Sequence, residues 1–104
     1  MDRLTDDIQK TIRGLEALSE RPSTASEAID ELLDQLYQLK IVLLGAPINT
    51  ASSLYEQAAR SMAAAAGKAE RAGRDPSAAK ALAAGAEEAI GRLAKLVDSM
   101  AHVP

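Results

Sequence analysis

His102 is the only histidine in the 104-residue chain, and it stands four residues after Asp98 near the end of a predicted helix. An imidazolium there is favoured by the carboxylate one turn back and by the negative end of the helix dipole. A general base or a metal ligand needs convergent partners, and no second histidine or Glu-x-x-His pair exists to supply them. His102 therefore reads as a surface residue. Carboxylates cluster as Asp6-Asp7, as Asp30-Glu31 with Asp34, and as Glu87-Glu88. Paired acids can do general acid–base work, but all of these fall between apolar positions, on solvated helix faces. Asp6 to Lys10, Glu56 to Arg60 and Glu88 to Arg92 form i,i+4 pairs in the favourable order, each worth roughly a few tenths of a kcal/mol.

Nucleophilic chemistry finds no better footing. Ser52, Ser53, Ser61, Ser77 and Ser99 lack a G-x-S-x-G turn or a base at a familiar spacing. Ala66-Gly67-Lys68-Ala69 carries the Gly-Lys pair of a phosphate loop without the earlier glycine or the following Ser/Thr. The absence of Cys removes thiolate ligands, disulfides and a thiol nucleophile. The chain is predicted to be no enzyme and to need no cofactor or metal.

Binding chemistry is the remaining class. Lys68, Arg71, Arg74 and Lys80 form a modest basic cluster that could touch an acidic partner or a lipid headgroup, although Glu70 and Asp75 offset it. A net charge of −3 argues against nucleic acid as partner, because that affinity rests on a basic surface that neutralises phosphates. The charge is uneven: residues 1–52 hold 9 acids and 5 bases, residues 53–104 hold 6 acids and 7 bases. That asymmetry helps two halves dock and is too small to steer a polyanion.

The elements that must position these groups follow from period and punctuation. Leu4, Ile8, Ile12, Leu15 and Leu18 recur at three- and four-residue steps and predict a helix over about 3–18. Gly14 inside it costs about 1 kcal/mol relative to Ala. Thr24-Ala25-Ser26-Glu27 fits a capping box and opens a second helix over about 25–44, striped by Ile29, Leu32, Leu33, Leu36, Leu39 and Leu43. Gly45 offers a left-handed cap, and Pro47 prevents continuation. The third helix, about 50–72, starts within 47–53, with Pro47 as its first residue or Asn49, Thr50 or Ser53 as its cap. Ser53-Leu54-Tyr55-Glu56 also matches a capping box. Gly73 ends it. Asp75-Pro76 then pairs a cap with a first-turn proline and starts a fourth helix over 76–101.

Those last two helices are made largely of alanine. From Ala58 to Ala94, 16 of 37 residues are Ala, whereas residues 1–54 carry 16 of the 22 Leu, Ile and Val. Steps of seven (Ala58, Ala65, Ala72; then Ala79, Ala86, Leu93) predict a close antiparallel seam, with Gly67 and Gly85 allowing still closer approach. With aromatics at only 2%, the core must come from Leu, Ile, Ala and Met, which favours helices over strands. The predicted fold is a single all-α domain: a four-helix antiparallel bundle of two hairpins, aliphatic then Ala-rich, and open to oligomerisation. The Ala hairpin buries too little apolar area to stand without the first half or a partner.

The second helix has apolar residues beyond its stripe. Tyr37, Ile41, Val42 and Leu44 lie on other faces, and a helix that is apolar on several sides is central or meets another chain. Tyr37 and Tyr55 suit an interface, although a wet core rim is the commoner place for such a tyrosine, and the apolar run 39–44 is the better candidate. Tyr37, Leu39, Ile41, Val42, Leu44 and Tyr55 are thus the expected protein interface. The function they imply is a non-enzymatic helical interaction module, self-associating, acting as adaptor or assembly factor. A subunit or accessory of an exported filament or secretion apparatus is the alternative, and an apolar-ligand-binding bundle the third. The acidic start shows no secretory pattern, and the longest apolar run, 41–48, is too short to span a bilayer, so a cytoplasmic location is expected.

Overall fold

The computed structural model describes residues 3–45 and 50–101. Four helices account for nearly all of them, with no strand among the described residues: α1 (Arg3–Glu20), α2 (Glu27–Leu44), α3 (Ser53–Arg74) and α4 (Ala79–Ala101), the last entered through a single 3-10 turn, Pro76–Ala78. They pack into an elongated bundle 47 Å long and 21 Å across. The α1 stripe is entirely buried, as are Ile29, Leu33, Leu36 and Leu43 of α2 and Leu82, Leu93 and Leu96 of α4. Periodicity alone located those of α1 and α2. Ala58, Ala65 and Ala72 of the seven-residue series are buried with Ala86 and Leu93, while Ala79 is half-buried.

Each hairpin is antiparallel. Tyr37 of α2 reaches Glu16 of α1, and Lys40 reaches Gln9; across the second hairpin Arg92 donates to Gln57 at 2.9 Å. Between hairpins the neighbours run parallel. Arg3, Leu4 and Asp7 at the start of α1 lie beside Tyr55, Ala59 and Ala63 at the start of α3, and Arg21 just past α1 donates to the Gly73 carbonyl near the end of α3. Likewise Ala28 and Leu32 of α2 lie beside Ala83 and Ala84 of α4. Around the bundle the order is α1, α3, α4, α2, so α2 and α3 occupy opposite corners.

Side-chain size explains why α1 takes the place next to α3. An alanine face makes good contact only with a partner whose own surface is smooth, because protein interiors tolerate few voids. On α1, Thr11, Gly14 and Ala17 follow one another at three-residue steps, and Gly14 and Ala17 line the seam with Ala69 and Gly73. The inner face of α2 carries only Ile and Leu and offers no such strip. At the crossing, a Cβ added to Gly14 would sit 2.6 Å from the Ala69 Cβ and 3.0 Å from its Cα. Gly14 is therefore the residue that sets the closest helix approach. The two glycines expected to do so behave differently: a Cβ added to Gly67 would meet nothing within 4 Å beyond its own helix turn, and Gly85 is overlaid by the flexible side chain of Lys68 rather than by backbone.

Helix ends depart from the sequence expectations in five places, the first being α4, which begins at Ala79 after a 3-10 turn and not at Pro76. Ser26, not Thr24, caps α2, accepting from the Ile29 N–H at 3.2 Å with an extended backbone. Thr24 is engaged elsewhere, its hydroxyl donating to the Leu18 carbonyl at 2.7 Å and its N–H to Arg21. The chain around Thr24 closes α1 and is not free to open α2. For α3 the cap is Ser52, accepting from the Tyr55 N–H at 3.1 Å; Pro47 and Asn49 lie outside the described residues. Gly45 is not left-handed: at φ −96° its N–H donates to Val42, tightening the last turn to a 3-10 bond. Gly73 lies within α3, which runs on to Arg74 and ends at Asp75, whose N–H donates to Arg71 at 2.9 Å.

The Asp75 carboxylate accepts from both the N–H and the hydroxyl of Ser77, which holds its pKa below the ordinary carboxylate value. A depressed carboxylate stabilises the fold above its unfolded pKa and loses that contribution as the pH falls through the folded one. Replacing Ser26 with Ala is expected to cost about 1 kcal/mol, the usual loss of an N-cap. Urea unfolding followed by circular dichroism measures it, and an unchanged midpoint would show that the Ile29 N–H is satisfied without Ser26.

Candidate interaction surface

Four large apolar side chains are exposed among the described residues, and all four belong to α2: Tyr37 at 40%, Ile41 at 71%, Val42 at 44% and Leu44 at 64%. Tyr37, Ile41 and Leu44 follow i, i+4, i+7 spacing and form one stripe, while Val42 is turned about 100° from Ile41, toward the other edge of the helix. The stripe lies on the α1 side, where the Tyr37 hydroxyl donates to the Glu16 carboxylate. That bond, with burial and the Glu16 charge adding to it, raises the Tyr37 pKa above its ordinary value of 10.0. Its contribution to stability is present below pH about 10 and is lost as the pH rises through the folded pKa.

The other two expected interface residues sit differently. Leu39 is half-buried against the core. Tyr55 is also half-buried against the core, at the α1–α3 edge beside Arg3 and Leu4. Because α2 and α3 stand at opposite corners, the fold does not bring Tyr55 to the Tyr37 stripe.

Exposed charge on α2 is segregated from exposed apolar surface. Glu27, Asp30, Glu31 and Asp34 occupy its first half; beyond them the exposed positions are Gln35, Tyr37, Gln38, Ile41, Val42 and Leu44. Elsewhere on the surface three ion pairs form among the described residues. Glu56–Arg60 pairs at 2.8 Å and Glu88–Arg92 at 3.7 Å as their spacing predicts. Lys10 departs from expectation, pairing at 3.6 Å with Glu70 of α3 in place of Asp6. All three pairs are exposed, and each is worth about 1 kcal/mol or less.

Among the described residues no group of three or more acidic residues, Cys or His is placed to hold a metal ion, and His102 lies outside them. Asp30, Glu31, Asp34, Glu87 and Glu88 are exposed. Ser77 is bonded to Asp75, Ser99 donates to the Leu96 carbonyl, and Ser52 is a helix cap. At the basic tip Arg71, Arg74 and Lys80 are exposed, and Lys68 lies half-buried across Gly85. Grooves of about 380–440 Å³ run along the surface between helices. One of them, between α1 and α3, sets the charged Arg3, Asp7, Glu56 and Arg60 around Leu4, Tyr55, Ala59 and Ala63.

One buried polar residue escaped the sequence reading. Thr11 is fully buried in the α1–α3 seam, its hydroxyl 2.8 Å from the Asp7 carbonyl and 3.5 Å from the Met62 sulfur. Its signal was its position, three residues after Ile8 and four before Leu15, inside the apolar arc. None of the described helices is long and apolar enough to cross a membrane. No family model, curated protein or solved structure matches this chain.

Proposed function

We propose that the chain is a non-enzymatic helical interaction module that associates with a second copy of itself through the outer face of α2. The observation that carries this reading is the concentration of every large exposed apolar side chain on that one helix, in a bundle whose core is otherwise closed. Isolated exposed apolar residues are ordinary on a monomer; a contiguous group on one element marks a contact site. The charge pattern favours self-pairing in one orientation. Antiparallel packing of α2 on its copy about Ile41 sets apolar half against apolar half and keeps each set of four acids clear of the other. Parallel packing would stack acid on acid, which is unfavourable.

The patch is small beside the roughly 800 Å² per partner of a standard stable complex. The association is accordingly weak, with dissociation in the micromolar to millimolar range, and an isologous contact of this kind closes at a dimer. Light scattering across a concentration series is expected to show the mass rising from one chain toward two. Ile41→Glu should abolish that rise while leaving the melting temperature nearly unchanged, because an exposed substitution shifts stability by about 0.5 kcal/mol or less. A strict monomer at every concentration would refute the reading, and growth into long polymers would favour the filament-subunit alternative.

A further inference from the structure

We propose that α2 is a displaceable strap, opening as a unit from a platform of α1, α3 and α4 before the rest of the chain unfolds, and uncovering the core side chains beneath it. The helices of the platform are closely joined. α1 and α3 meet backbone to backbone at Gly14 and Ala69, with the buried Thr11–Met62 contact and the Arg21 bond to the Gly73 carbonyl on either side. α3 and α4 are linked by Arg92 to Gln57, by Lys68 lying over Gly85, and by the short Asp75–Ser77 turn.

The seams of α2 are of another kind. Among the described residues no hydrogen bond or ion pair joins it to α4. A surface groove of about 410 Å³ runs along this seam, with Glu31 on one wall and Glu87 on the other and no cation in the lining, whereas the grooves of similar size along α1–α3 set Arg3, Arg60, Lys10 and Arg13 beside their acids. Like charges facing each other across a seam oppose its closure. A second groove of about 390 Å³ continues past Ile29 and Ala79 to the start of both helices. Toward α1, two side-chain bonds at the solvent edge hold it, Tyr37 to Glu16 and Lys40 to Gln9. α2 buries four of its 18 residues, all of them large aliphatics, whereas α1 buries seven of 18 and α3 six of 22. Few buried contacts and solvent-edge bonding are the marks of an element at the low-stability end of a structure.

Native-state hydrogen exchange on the full chain, at a dilution where scattering finds one chain per particle, tests this directly. The amides of Leu33 and Leu36 are expected to be at least 10-fold less protected than those of Ile12, Leu15, Met62 and Ala89. In Met62→Ala, which weakens the platform, protection should fall in α1, α3 and α4 while that of α2 stays unchanged. Equal protection in all four helices of the unaltered chain would overturn the strap, even if the variant failed to fold. The readout is independent of dimer formation, so failure of the strap and failure of self-association are told apart.

Discussion

Gly14→Ala is expected to destabilise the bundle by about 2 kcal/mol, although alanine is the better helix former. Two effects of opposite sign compete. Helix propensity favours Ala by about 1 kcal/mol at an interior position. Against it stands a new Cβ at 2.6 Å from the Ala69 Cβ and 3.0 Å from its Cα, with the Ala69 carbonyl oxygen at 3.3 Å. None of these atoms is the end of a flexible side chain, so relief requires that α1 and α3 move apart. Separation also loosens Thr11 against Met62 and the buried Ala65 and Ala72. The overpacking cost therefore lies at the upper end of the usual range, about 3 kcal/mol. In thermal unfolding the net loss reads as a fall in Tm of about 10 °C for a chain of this size.

A second substitution separates this cause from others. Ala69→Gly removes the opposing Cβ at a propensity cost of about 1 kcal/mol, and combined with Gly14→Ala it should recover most of the lost stability. The α3 backbone at this position still crowds the added methyl, so recovery is incomplete. Residues in direct contact show coupling energies of roughly 0.5–3 kcal/mol, and the cycle should fall inside that range. A neutral or stabilising Gly14→Ala, or strict additivity of the pair, would show that α1 and α3 do not meet at this crossing.

Gly14 also shows where sequence reading stops. The α1 stripe was legible because five large residues at helical spacing admit one buried face, and the hairpins were legible because their connections are short. Close approach is decided by what lies opposite, and that depends on which helices become neighbours. Gly67 and Gly85 each follow an alanine by four residues and so carried the local signal, yet one faces open space and the other a lysine chain. The usable signal was Thr11, Gly14 and Ala17, three small residues in line beside the aliphatic stripe of α1. The caps failed for a related reason. Residues 23–26 hold three hydroxyls, and only the folded turn assigns Thr24 to the end of α1 and Ser26 to the start of α2. Of the expected contact residues, Tyr37, Ile41, Val42 and Leu44 stood outside the α2 stripe in the sequence and are exposed in the fold. Leu39 belonged to the stripe and was included as the start of the apolar run 39–44, and Tyr55, on another helix, was included on residue type alone.

Residues 50–104 expressed alone are expected to show no cooperative unfolding transition. Within the bundle α3 buries one large side chain, Met62, together with Ala58, Ala65, Ala66, Ala69 and Ala72. α4 adds Leu82, Leu93 and Leu96, so the isolated hairpin holds four large buried residues. The N-terminal half holds nine: Leu4, Ile8, Ile12, Leu15, Leu18, Ile29, Leu33, Leu36 and Leu43. Burial of a large aliphatic side chain contributes about 1.5–3 kcal/mol, and each ordered residue costs about 1–2 kcal/mol of backbone entropy. Removing the first half also returns to water the faces of α3 and α4 that now lie against α1 and α2, so even the four do not stay buried. Alanine-rich segments retain some helix without tertiary support. Circular dichroism of the fragment should therefore show partial helicity that melts gradually from low temperature. Adding a fragment of residues 1–49 should restore both full helicity and a sharp transition. A sharp transition in the C-terminal fragment alone, at concentrations where it is monomeric, would show that the alanine seam between α3 and α4 suffices without the aliphatic half.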